Sequence, residues 1–192
     1  MSVPVTARDR SAPRTSVAAI DAAALVGAAG LLLLRPFVVG GPGTIAVLTA
    51  TYLAILAVSL AVPMQKDERR ASTGIVLGLG VGAFALATLV VGPHPPAPVA
   101  SGAWVMNALA GVSEEAFFRR FLYGRLARWG APLAIAVSAV AFAVIHVPAY
   151  GVAAFWVDLG AGLLLSWQRW ASGTWTVPAA THVAANLLAV MR

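Results

Sequence analysis

Cysteine is absent from the 192 residues, which excludes disulfide frameworks, cysteine nucleophiles and thiolate metal sites. Lysine is nearly absent too, with Lys66 the single example. Charge of any sign is scarce: charged residues make up 10% of the chain, against roughly 25% in an ordinary soluble domain. No His-Glu-x-x-His helix motif and no Gly-x-Ser-x-Gly elbow occurs, so the usual zinc-helix and serine-hydrolase signatures are missing. Internal repeats are also missing.

What is present is apolar. Hydrophobic residues account for 60% of the chain, and the mean hydropathy is +0.85. A soluble domain of this size has too little interior to hide that much apolar surface; a bilayer removes the difficulty. The net charge of +6 comes almost wholly from arginine. These arginines flank apolar runs instead of forming one basic face, so they read as topology signals and not as a nucleic-acid surface.

Seven segments approach the roughly 20 residues that cross a hydrocarbon core. They lie near 17–34, 43–63, 74–92, 99–124, 131–148, 152–168 and 173–191. The expected fold is therefore all-α, a polytopic transmembrane bundle of about seven helices. Val17 to Leu34 lacks a small-residue cleavage site followed by a soluble domain, so it reads as a retained helix and not as a signal peptide. Gly40-Gly41-Pro42-Gly43 and Gly92-Pro93-His94-Pro95-Pro96 carry helix-breaking turn chemistry. The sequence divides into a polar cytoplasmic tail over 1–16, membrane helices over 17–98 and a second bundle over 99–192. Basic residues cluster in the tail, in the 64–73 loop (Lys66, Arg69, Arg70), at Arg125 and Arg128, and at Arg169 as a mark of the next loop on that side. The intervening loops hold little positive charge beyond Arg35. This alternation predicts a multi-pass protein of the cell membrane with a cytoplasmic N-terminus.

A charged side chain at mid-membrane costs at least roughly 2.5–3.5 kcal/mol, so ionisable groups there are functional candidates. They gather in the second half of the chain. Glu114, Glu115 and Arg119 lie in the fourth segment, Phe142 and His146 in the fifth, and His182 and Asn186 in the seventh. Asn107, Gly111, Glu114 and Phe118 share one helical face. Glu115 and Arg119 are four apart and can form an ion pair, leaving Glu114 to face a cavity. His182 and Asn186 are also four apart and project together. At about 1.5 Å per residue, Glu114 and His146 both lie roughly 22 Å from the same membrane face, with His182 roughly 8 Å shallower.

The patterns Glu-Glu-x-x-x-Arg (Glu114, Glu115, Arg119), Phe-x-x-x-His (Phe142, His146) and His-x-x-x-Asn (His182, Asn186) occur in that order on separate apolar helices. Together they resemble the CAAX prenyl protease and bacteriocin-processing (Abi) family over about 99–192. The resemblance implies an intramembrane endopeptidase that acts on a membrane-associated or prenylated peptide substrate and needs no cofactor. It further implies that Glu114 is the base that activates water, that His146 orients that water, and that His182 and Asn186 stabilise the oxyanion. Glu115, Arg119 and Phe142 would hold the site's shape. Other readings stand beside this one. The carboxylates could form only a structural network with Arg119 and Arg120, and His182 with Asn186 could be interhelical glue. Glu114, His146 and His182 are also legitimate zinc ligands, a reading ranked below the metal-free one. A membrane scaffold or immunity protein, or a proton-coupled transporter, is the non-protease alternative. The tryptophans read as interfacial anchors, His94 as a solvated loop residue, and Asp158 as either a supporting or a cavity-lining group.

Overall fold

Apolar runs of helical length, broken by Gly and Pro, leave the backbone in a membrane only one economical arrangement: helices that satisfy their own hydrogen bonds. A computed structural model describes residues 14–38, 43–64, 67–91 and 102–191. The expected tail up to residue 13, Lys66, most of the Gly40–Gly43 turn, and the Gly92–Pro96 turn with His94 lie outside the described residues. Seven helical rods are found and, among the described residues, no strand. They are α1 (Arg14–Val38), α2 (Thr44–Ala61), α3 (Thr73–Val91), α4 (beginning as Ala103–Glu115), α5 (Ala131–Tyr150), α6 (Ala154–Ser172) and α7 (Thr176–Val190). The fold is an all-α membrane bundle.

Four of the rods contain stretches long and apolar enough to cross a membrane: Asp21–Val38, Thr44–Ala61, Thr73–Val90 and Ala131–Tyr150. The other three expected spans depart from that standard for visible reasons. Rod α4 carries two carboxylates and several arginines, α6 carries Asp158 and Arg169, and α7 has 15 residues. Their polar groups turn inward. Glu114, Glu115, Arg119, His146, Gln168, Arg169, Thr181 and His182 are all buried, whereas Val26, Phe37, Leu89, Val90 and Val157 are exposed. That inside-out distribution suits a lipid surround, in which apolar side chains have no reason to hide.

Rod α4 is not uniform. After Glu115 it continues as a π-helical stretch, Ala116–Leu122, then a regular turn, Tyr123–Leu126, and a short 3-10 turn, Ala127–Trp129. Such stretches are rare and concentrate at functional sites. This one follows directly on the paired glutamates. Along it, Arg120 donates to the carbonyls of Ser59, Leu60 (3.1 Å) and Val62 (2.9 Å). Those carbonyls belong to the end of α2 and its exit, where helix acceptors lack intrahelical partners. Arg125 adds a bond to Asp21 of α1 at 2.8 Å, so the first two helices are fastened to α4 by charge as well as by packing.

Arg169 does not mark a loop, as its place in the sequence predicted. Helix α6 continues to Ser172, and Arg169 is fully buried, paired with Asp67 at 3.0 Å and donating through Nε to the Arg119 carbonyl at 3.1 Å. Its charge is spent on internal partners. Helices α5 and α6 approach closely at Gly162, where an added methyl carbon would lie 2.9 Å from both the Cα and the carbonyl oxygen of Ala139. Backbone cannot yield as a flexible side chain does. Gly162→Ala is therefore expected to destabilise the protein by about 1–3 kcal/mol, read as a lower unfolding midpoint in detergent micelles. An unchanged midpoint would show that the helices separate without cost.

Candidate active site

Glu114 lies one residue before the end of the regular part of α4, and its side chain is 3% exposed. Three residues from three other helices converge on it. Arg35 of α1 donates from Nη1 to Oε1 at 2.6 Å. On the opposite side, Nε2 of His146 (α5) lies 3.5 Å from Oε2, and Nε2 of His182 (α7) lies 3.9 Å from the same oxygen. The expected gathering of Glu114, His146 and His182 is thus found. The expected depth mismatch of His182 is not found, because α7 sits against α4 with its ring level with both carboxylates.

Both rings are held from behind. Nδ1 of His146 is 2.7 Å from the Phe142 carbonyl, an oxygen that only accepts, so Nδ1 carries the proton. Nδ1 of His182 is 2.9 Å from Oε1 of Glu115, and the same logic applies to an ion-paired carboxylate. In the neutral rings each Nε2 then presents a lone pair toward Glu114. Hydrogen bonds at one ring nitrogen set the chemistry of the other.

Glu115 forms the ion pair that its spacing from Arg119 allows. Its Oε1 accepts from Arg119 Nη1 at 2.8 Å, the anticipated pair one helical turn apart. Arg119 is fully buried and also donates from Nη2 to the Gly162 carbonyl at 3.1 Å. Phe142 fills the centre: its ring lies 4.4 Å from that of His146, 5.6 Å from that of His182 and 4.6 Å beneath the Arg119 guanidinium, all centroid distances. Arg120, by contrast, points at α2 and takes no part.

Asn186 lies one turn beyond His182 and donates from Nδ2 to the Asn107 carbonyl at 3.1 Å. A side-chain amide nitrogen carries two protons, so this bond leaves one for another acceptor. Gly111 makes the approach of α7 to α4 possible, since a methyl carbon there would meet Val183 at 3.3 Å and Asn186 at 3.4 Å. Glu114, His146, His182, Asn186 and Asn107 all line one cavity of about 460 Å³, together with Arg35, Tyr52 and Tyr150. Tyr150 at its edge is 64% exposed. Asp158 is not among the lining residues. Among the described residues, no three His, Asp or Glu side chains are grouped so as to hold a metal ion.

Residues 96–188 match the family model described as Rce1-like, type II CAAX prenyl endopeptidase. Over that segment the chain is similar to the Rce1-like family. The match spans every residue of the three motifs, and the peptidase family it denotes agrees with the resemblance read from those motifs. No curated protein and no solved structure matches the chain. Three residues lining the cavity, Arg35, Tyr52 and Tyr150, were not foreseen. Arg35 and Tyr52 precede the matched segment. The signal that could have found Arg35 is its isolation: it is the only charged residue between Asp21 and Met64, and it sits inside a helix.

Proposed function

We propose that this Rce1-like protein is an intramembrane endopeptidase in which Glu114 activates water for attack on a peptide carbonyl. One observation carries the reading: a buried carboxylate oxygen faces the Nε2 atoms of two imidazoles in a cavity large enough for a peptide segment. The separations of 3.5 and 3.9 Å are long for direct hydrogen bonds and suit a water held between acceptors. Such a water has both protons accepted, one by Oε2 of Glu114 and one by Nε2 of His146, and its own lone pair free to attack.

The steps then balance without further components. Glu114 takes one proton as the water oxygen bonds to the carbonyl carbon. The oxyanion accepts a hydrogen bond from the second amide N–H of Asn186, and another from Nε2–H of His182 when that ring carries both of its protons. Removing one such donor typically costs about 10²–10³ in rate. Collapse of the intermediate breaks the C–N bond, and Glu114 returns its proton to the departing amine. Glu115, Arg119 and Phe142 serve as positioning residues. On this reading residues 99–192 form the catalytic bundle, 17–98 complete its cavity, and the N-terminus is cytoplasmic. The substrate is a membrane-associated or lipidated peptide.

The test compares the peptide ends released from membranes that carry wild-type protein with those from membranes carrying Glu114→Gln at matched expression. Products confined to wild type support the reading and locate the cut sites. Identical profiles from two folded proteins would reject it.

A further inference from the structure

Two fully buried side chains that take no part in the hydrolytic steps, Ser138 and Arg169, both donate to carbonyls of the π-helical stretch. In a π-helix the backbone bonds span five residues, which moves the carbonyls off the regular four-residue register. Ser138 of α5 donates from Oγ to the Phe118 carbonyl at 2.9 Å. Arg169 of α6 donates from Nε to the Arg119 carbonyl at 3.1 Å. The two acceptors are consecutive, and each is also held by its side chain. The Phe118 ring stands edge to face with that of Phe142, centroids 5.3 Å apart. The Arg119 guanidinium donates to Glu115 and to the Gly162 carbonyl. Gly162 and Arg169 lie about two turns apart along α6, so that one helix holds Arg119 at its main chain and at its side-chain tip.

Both held residues lead to the rings that face Glu114. Phe142 packs against His146 and His182, and Glu115 accepts from Nδ1 of His182. Resting on the proposed protease reading, we propose that Ser138 and Arg169 are positioning residues of the site. By pinning the Phe118 and Arg119 carbonyls they hold the π turn, and the turn sets where Glu115, and through it His182, points. Burying a charge for packing alone is expensive, and an apolar side chain fills such a space at lower cost. An apolar residue at 169 would leave the Arg119 carbonyl without this donor. The charge of Arg169 is balanced by a separate contact, Nη1 to Asp67 at 3.0 Å. Its two tasks therefore sit on different nitrogens and can be removed one at a time. The segment that carries Asp67 does not hang on Arg169 alone: Arg70 and Ala71 both donate from their main chain to the Ala171 carbonyl at 2.9 Å.

Arg169→Lys keeps a cation for Asp67 and loses the Nε donor, whereas Asp67→Asn keeps the donor and loses the charge partner. The full chain and both variants, with ring-nitrogen-labelled histidine, are reconstituted in phosphatidylcholine vesicles. The Nδ1–H resonance of His182 is expected to move in Arg169→Lys and to stay in place in Asp67→Asn. Cleavage of a randomised pool of lipidated peptides follows the same split. Arg169→Lys lowers kcat at least about tenfold with KM within about twofold, since a displacement of about 1 Å can cost on the order of 10²-fold. Asp67→Asn keeps kcat within about threefold although its unfolding midpoint falls at least as far, a buried guanidinium having lost its counter-charge. Ser138→Ala removes the other donor with little change in packing; it should move the same resonance, and it decides the matter if Arg169→Lys does not accumulate. The resonance needs no turnover, so a wild type that cleaves nothing rejects the protease reading while the coupling is still tested. An unmoved resonance in Arg169→Lys, or in Ser138→Ala standing in for it, overturns the proposal. Losses in kcat that simply rank with the unfolding midpoints do so too, because a purely structural role predicts that order.

Discussion

Purified Glu114→Gln is expected to lose about 10²–10⁴ in kcat, the range supplied by a positioned general base, while remaining folded with a lower unfolding midpoint, because Arg35 loses its counter-charge. The second half of that expectation follows from what surrounds the side chain. A glutamine oxygen can still accept the Arg35 Nη1 bond, now 2.6 Å long. Its amide protons face the lone pairs that His146 and His182 direct inward. The shape and contacts persist while the proton acceptor is gone. Glu114→Asp keeps the acceptor but retracts it by more than about 1 Å, a displacement that can cost on the order of 10²-fold. Single-turnover rates on a substrate identified from membranes measure both. A Gln variant within threefold of wild type would remove Glu114 from the chemistry.

The second large effect is on stability. Arg119→Ala is expected to cost about 3–5 kcal/mol, the usual result of stripping one partner from a buried ion pair. Both side chains of the Arg119–Glu115 pair are fully buried, and the lost guanidinium also serves the Gly162 carbonyl and covers the Phe142 ring. What remains is a carboxylate in the bundle interior that, among the described residues, has only His182 to face it. Replacing both residues with leucine leaves no orphaned charge and should recover most of the loss. That double variant should nonetheless be inactive, since His182 no longer has an acceptor behind Nδ1. Denaturant unfolding in micelles, run beside the activity assay, tests both statements. A single-variant loss below about 1 kcal/mol would mean that the pair is dispensable to the fold.

The sequence carried much of this arrangement because the relevant residues are conspicuous in apolar helices. Glu114, Glu115, His146 and His182 are unusual in a membrane, and helical spacing alone paired Glu115 with Arg119 and His182 with Asn186. Helix lengths placed Glu114 and His146 at one level. Spacing within a helix says nothing about which distant helix lies opposite, and that is where legibility ended. Arg35 resembled a loop charge because its partner is on another helix. Arg169 resembled a topology marker because its partners, Asp67 and the Arg119 carbonyl, come from elsewhere in the fold. Its burial depends on where α6 ends, and helix ends are the features that apolar periodicity defines least well. The π-helical form of Ala116–Leu122 was equally invisible, since Phe and Arg at those positions fit a regular helix as well.

That stretch has a consequence best expressed as a rotation. Glu114 and Glu115 before it face α5 and α7, while Arg120 within it grips the end of α2. In a regular helix each residue turns the axis by about 100°, so the wider winding sets the phase between the two halves of α4. If all the residues of Ala116–Leu122 were kept but relaxed to regular winding, one half of the rod would twist against the other by roughly that angle. Every acid, base and amide of the site would still be present in the chain, but the carboxylates and the α2 anchor could no longer be satisfied together. The winding of this segment is therefore as much a part of the active site as the chemistry of its residues.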